Sequence, residues 1–145
     1  MLKSVKQILD RKGRDVYSVS PDASIYEALK AMADHNVGAL VVMEDGHVAG
    51  IFSERDYARK LEYCTDSCLK VKVRDVMSED LYIIGLEASV DEAMSIVTET
   101  RCRHLPVMDG EEMVGMVSIG DLVKATIDEK DFVIKQLEKY IKGEQ

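Results

Sequence analysis

Two aspartates, Asp56 and Asp121, each follow a serine by three residues (Ser53, Ser118) and a glycine by six (Gly50, Gly115). Each set closes an apolar, strand-like run and opens a helix-like one. An aspartate at the start of a helix beside a cleft presents two acceptor oxygens at the spacing of vicinal hydroxyls, as on a ribose. The same Ser-x-x-Asp spacing is also close to a capping box, which only secures the helix. Gly50 and Gly115 lie inside the strand-like runs, where glycine often marks the close approach of a ligand or another backbone.

A second cluster, Arg101-Cys102-Arg103-His104, gathers cationic donors suited to phosphate just before the apolar run Leu105–Met108. A solvated basic turn is the plainer alternative. The matching stretch earlier in the chain, Asn36-Val37-Gly38-Ala39, is small and uncharged, a surface on which a planar ring can lie.

These residues match because the chain repeats. An offset of 65 residues lays Val16–Tyr57 on Leu81–Leu122 without a gap, with 11 identities in 42 positions, among them all three residues of each Gly/Ser/Asp set. Two copies are too few for a solenoid, for which roughly three are needed. They imply two similar units packed about a pseudo-twofold axis with two equivalent clefts.

The elements that must carry the motifs recur in the same order. Val16–Val19 and Leu81–Ile84 are short strand candidates. Ser24/Glu27 and Ser89/Glu92 are capping boxes ahead of helical stripes through Ile25, Ala28, Leu29 and Met32, and through Val90, Ala93, Met94 and Val97. Gly38 is expected to end the first of these helices. Ala39–Met43 and His104–Met108 are strands, the first reading as buried on both faces. Asp45-Gly46 and Asp109-Gly110 are turns back into Val48–Phe52 and Met113–Val117. Pro106 cannot donate to a ladder, so its nitrogen should face away from a neighbouring strand. Helices follow at Glu54–Leu61 and Ile119–Ile127. Val5-Lys6-Gln7-Ile8-Leu9 and Val73-Arg74-Asp75-Val76-Met77 are lead-in segments, and a separate last helix is expected from about Asp128, covering the module or meeting a partner chain.

Bulk properties narrow the function classes. The 145 residues suit one core, and a net charge of −8 disfavours wrapping a nucleic-acid backbone. No apolar run approaches the roughly 18 residues of a membrane span, and the N-terminus shows no signal-peptide core, so a cytoplasmic protein is expected. Cys64, Cys68 and Cys102 do not form a secreted disulfide pattern, and Cys64-x3-Cys68 lacks a second ligand pair for zinc. Ordinary reduced thiols are the plainest reading, a redox role the alternative. No phosphate-binding glycine loop, Ser/His/Asp set or His/Cys metal cluster is evident. The methionines mostly fall on apolar faces, as core filler.

Val-Gly-Ala-Leu-Val-Val (37–42), Ser-Glu-Arg-Asp-Tyr-Ala-Arg-Lys (53–60), Arg-His-Leu-Pro-Val (103–107) and Val-Ser-Ile-Gly-Asp-Leu-Val-Lys (117–124) resemble the motifs of tandem cystathionine-β-synthase (CBS) domains, the Bateman module. The likeness runs to Ile127 and is strongest to small stand-alone bacterial and organellar CBS pairs, whose tail resembles Leu137–Gly143. It implies an α+β fold of two βαββα repeats: repeat one with its lead-in and connector at 1–70, repeat two at 71–127, and a C-terminal helix at 128–145. It also implies a non-enzymatic regulatory protein, a homodimer, that binds AMP, ADP, ATP, NAD(H) or S-adenosylmethionine, requires no cofactor or metal, and signals to another protein. In one cleft the resemblance gives Asp121 to the ribose hydroxyls, Ser118 to the ribose or phosphate, and Arg103 and His104 to the phosphates. Tyr17, Val37, Gly38 and Ala39 would surround the adenine there. In the other it gives Asp56 and Ser53, with Tyr82, Cys102 and Arg103, and Arg55 as a candidate phosphate contact. Repeat one has no basic pair at 38–39, so the clefts are not expected to fill equally. An interaction module with vestigial clefts is the competing reading.

Overall fold

Serine caps and tight turns divide the chain into a strand–helix–strand–strand–helix unit that occurs twice. The computed structural model describes residues 3–60 and 70–141. A lead-in helix α1 (Val5–Lys12) precedes β1 (Ser18–Val19), α2 (Ile25–His35), β2 (Ala39–Glu44), β3 (His47–Ser53) and α3 (Glu54–Lys60). A 3-10 turn at Val73–Asp75 then leads into β4 (Ile84–Gly85), α4 (Val90–Thr100), β5 (His104–Asp109), β6 (Glu112–Ser118) and α5 (Ile119–Ile141). The expected mixed fold of two βαββα repeats is therefore present.

The caps are built as their sequences require. Ser24 Oγ accepts from Glu27 N–H at 3.1 Å, and Glu27 accepts from Ser24 N–H at 3.3 Å. At α4 only the serine half forms among the described residues: Ser89 Oγ accepts from Glu92 N–H at 3.0 Å. Ser4 and Gln7 make a third, reciprocal box at α1. α2 stops at His35, three residues before Gly38, because Asn36 takes the left-handed conformation (φ 54°) that closes the helix.

Both sheets have the middle strand parallel to one neighbour and antiparallel to the other, in the orders β1-β2-β3 and β4-β5-β6. The repeat holds down to its irregularities. A bulge falls between Val42 and Met43 and again between Val107 and Met108. Asp45 (φ 51°) and Gly46 (φ 79°) are both left-handed, as a twist-matched two-residue hairpin demands. In the second hairpin the strand runs through Asp109, so the turn is Gly110-Glu111 rather than Asp109-Gly110. Val41 N–H donates to Tyr17 C=O at 3.0 Å. Pro106, its counterpart, cannot donate, and β4 pairs with β5 only from Ile84 on, later than the expected Leu81 start.

The apolar contacts define two compact units, one continuous (Val16–Leu81) and one discontinuous (Met1–Asp15 with Tyr82–Gln145). Ile25, Ala28, Met32, Leu40, Val42 and Phe52 form the core of the first, joined by Val73. In the second, Val5, Ile8 and Leu9 of α1 are buried with Leu105, Val107, Val117 and Leu122. Each lead-in thus packs on the sheet of the other repeat, so packing groups residues otherwise than the linear division at 70/71. Matching backbone bonds fasten them: Val5 N–H to Ala88 C=O and Val90 N–H to Lys3 C=O, both 2.9 Å, and likewise Val73 to Ala23 and Ile25 to Val71.

The last helix is not a separate element from Asp128. α5 is continuous through Ile141, because neither glycine nor proline occurs between Asp121 and Ile141.

Candidate functional site

Asp56 and Asp121 occupy the same place in the two units, in the first turn of the helix that leaves the antiparallel edge strand. Ser53 N–H donates to Asp56 Oδ2 at 2.9 Å, and Asp56 N–H donates to Ser53 Oγ at 3.2 Å. Ser118 and Asp121 repeat both bonds, at 2.8 and 3.2 Å. The capping reading of Ser-x-x-Asp is therefore realised, and it leaves room for the ligand reading. In both carboxylates every side-chain bond falls on Oδ2, while Oδ1 accepts nothing among the described residues.

The two junctions differ in what completes Oδ2. In the continuous unit the Ser53 hydroxyl itself donates to Asp56 Oδ2 at 3.0 Å. In the discontinuous unit the second donor is Lys12 Nζ, 2.7 Å from Asp121 Oδ2 and 3.0 Å from Met116 C=O. Burial alone would raise the pKa of Asp121. The Lys12 hydrogen bond, the Ser118 N–H and the Lys12 charge outweigh it, and the carboxyl is held below its ordinary value.

Some of the other predicted site residues meet a junction within their own unit. Glu54 N–H donates to Gly38 C=O at 3.0 Å, and Ile119 N–H to Arg103 C=O at 2.9 Å, tying the turn before the middle strand to the helix start. Ala39 pairs with Ser53, and His104 with Ser118. Val37 packs against the core of the continuous unit. Tyr17 stacks on His35, with ring centroids 3.8 Å apart and planes 13° apart. Arg55 is half-buried in the first turn of α3. Arg103 and Tyr82 are exposed, and Cys102 Sγ donates to His104 C=O at 3.1 Å. Cys64 and Cys68 lie outside the described residues.

The two glycines answer to packing. A Cβ on Gly50 would stand 2.7 Å from Ser78 C=O, and one on Gly115 would stand 2.8 Å from Leu9 Cδ1. It is the lead-in segments, one as backbone and one as side chain, that need the bare glycine. Lys12 is the residue that sequence reading missed. Its contact spans 109 positions, and its only local sign is a reversal of charge: the second lead-in carries Asp80 at the matching place.

This twice-built fold defines a tandem CBS pair, and the chain belongs to the CBS domain family, matching it over residues 5–63 and 73–128. It is 38% identical to the mitochondrial CBS domain-containing protein CBSX3 of Arabidopsis thaliana, covering 97% of this chain and 72% of that one. A CBS-domain protein from Agrobacterium tumefaciens superposes with a TM-score of 0.82 at 41% identity, covering 87% of this chain and 95% of that one. The CBS domain pair of protein MJ0100, in complex with 5′-methylthioadenosine and S-adenosylmethionine, shares the fold at 22% identity, with a TM-score of 0.76 and coverage of 89% and 99%.

Proposed function

We propose that the protein is a non-catalytic regulatory module whose Asp121 and Asp56 junctions each bind the ribose of an adenosine-containing ligand and which signals to a partner protein. The observation that carries this is the twofold recurrence of a half-buried, backbone-anchored carboxylate whose Oδ1 accepts nothing among the described residues. The MJ0100 pair supports it at the level of fold, since that protein holds adenosine ligands. Ser118 and Ser53 flank the ribose. Arg103, His104 and Arg55 serve phosphates, and Tyr17, Val37, Gly38, Ala39, Tyr82 and Cys102 complete the surroundings of the base, as the family resemblance implies. AMP, ADP, ATP, NAD(H) and S-adenosylmethionine are the candidate ligands.

Pairing into a homodimer is supported by the far half of α5. Ile127, Ile134, Leu137 and Ile141 are all more than half exposed there, at roughly one- and two-turn spacing. No helix among the described residues is long and apolar enough to cross a membrane. A cytoplasmic site of action is our reading, although the Arabidopsis relative is named as mitochondrial.

Thermal unfolding of ligand-stripped protein with AMP, ATP, NADH or S-adenosylmethionine tests this. A ligand at about 100 times its dissociation constant stabilises by roughly 2.7 kcal/mol, a shift of several degrees. Asp121→Ala should weaken binding by about 1.5–3 kcal/mol. The competing reading, an interaction module with vestigial clefts, draws support from the caps that both Ser/Asp pairs form. It predicts that Asp121→Ala lowers stability and that no nucleotide at millimolar concentration shifts the transition.

A further inference from the structure

Asp121 Oδ2 already holds two donors, the Ser118 N–H and Lys12 Nζ, which fill the lone pairs of one carboxylate oxygen. The simple picture of a diol spanning both oxygens therefore does not apply as long as Lys12 stays in place. One hydroxyl can donate to the open Oδ1. The other must find a different partner beside it.

We propose that Lys12 is that partner, making the Asp121 junction a donor–acceptor pair that reads a vicinal diol, whereas the Asp56 junction offers an acceptor alone. The inference rests on the ribose-binding reading above and deepens it. Three observations bear it. Lys12 Nζ spends two of its three N–H groups, on Asp121 Oδ2 and Met116 C=O, and the third has no acceptor among the described residues. The Lys12 and Asp121 side chains are 40% and 24% exposed, so a ligand can reach both. The second lead-in carries Asp80 where the first carries Lys12, so no equivalent cation is provided for Asp56.

Calorimetric titration of AMP and of its 2′-deoxy and 3′-deoxy analogues tests the pairing, in an Asp56→Ala background that leaves the Asp121 junction alone. The unaltered Lys12 protein should prefer AMP over both analogues. Lys12→Met should lose on the order of tenfold or more in AMP affinity. It should also bind one of the deoxy analogues as well as AMP, because the lost hydroxyl and the lost ammonium are partners. Lys12→Arg, which keeps a donor, should retain much of the preference, and the unfolding transition of Lys12→Met checks that this variant loses affinity without losing the fold. An equal loss for all three ligands would reduce Lys12 to a counter-ion of Asp121 and overturn the proposal. Tighter AMP binding by Lys12→Met would make Lys12 a plug and overturn it as well. AMP affinity left unchanged by Asp121→Ala in the same background, or AMP binding absent from the natural protein, removes the ribose reading itself and this inference with it.

Discussion

At the scale of single residues, the Lys12–Asp121 pair has a pH signature of its own. A carboxyl held below its ordinary value releases its proton more readily in the folded chain than in the unfolded one. Its contribution is therefore complete above the unfolded value, about 3.9, and is lost as pH falls through the folded one. Lys12 is 40% exposed, so the pair belongs near the surface-pair range. Lys12→Met should cost about 0.5–1 kcal/mol at pH 7. Urea unfolding of both proteins across pH should show that gap closing as pH falls below the ordinary carboxylate range. A gap unchanged at low pH would mean that Lys12 stabilises through its apolar stem instead.

At the scale of elements, the glycines in β3 and β6 make the sharper case. A methyl on Gly50 meets the backbone carbonyl of Ser78, which is bonded both ways to Ile51, and Met77 Sδ at 3.0 Å. A methyl on Gly115 meets only the end of the Leu9 side chain. Gly50→Ala should destabilise by about 1–3 kcal/mol, and Gly115→Ala by less, since a leucine rotates more easily than a backbone moves. Denaturant midpoints of the two variants check the order. Much at this scale is legible in the sequence. The offset of 65 gives both sheets, the serine caps and the matched Ser/Asp junctions, because each depends on residues close in sequence. What escapes is set by distant partners or by missing ones. Leu9 and Gly115 meet only in the folded unit. β4 begins one register pair later than β1, the missing pair being the one opposite Pro106. α5 runs on past Asp128 because nothing stops it. Of the site, the two carboxylates could be read from their spacing; the lysine on one of them could not.

At the scale of the whole molecule, the discontinuous unit depends on a segment from the far end of the chain. Val5, Ile8 and Leu9 are essentially buried, and removing them withdraws about 1.5–3 kcal/mol each from that core. That is comparable with the net stability of a domain, about 5–15 kcal/mol. Deleting residues 3–12 should therefore strip hydrogen-exchange protection from β5 and β6 and leave β2 and β3 protected. Uniform loss across both sheets would show that the units do not fold separately. The same arrangement sets an order of events at the ribosome. The continuous unit has all its parts once Leu81 has emerged. α1, made before the rest of its unit, must wait for β6 and α5, with Lys12 and Asp121 separated by 109 residues. At about 5–20 residues per second that is a delay of roughly 5–20 s. The growing chain thus carries α1 as an unpaired amphipathic segment, and the lysine that will sit on Asp121 reaches its place only once β6 and the start of α5 have been made.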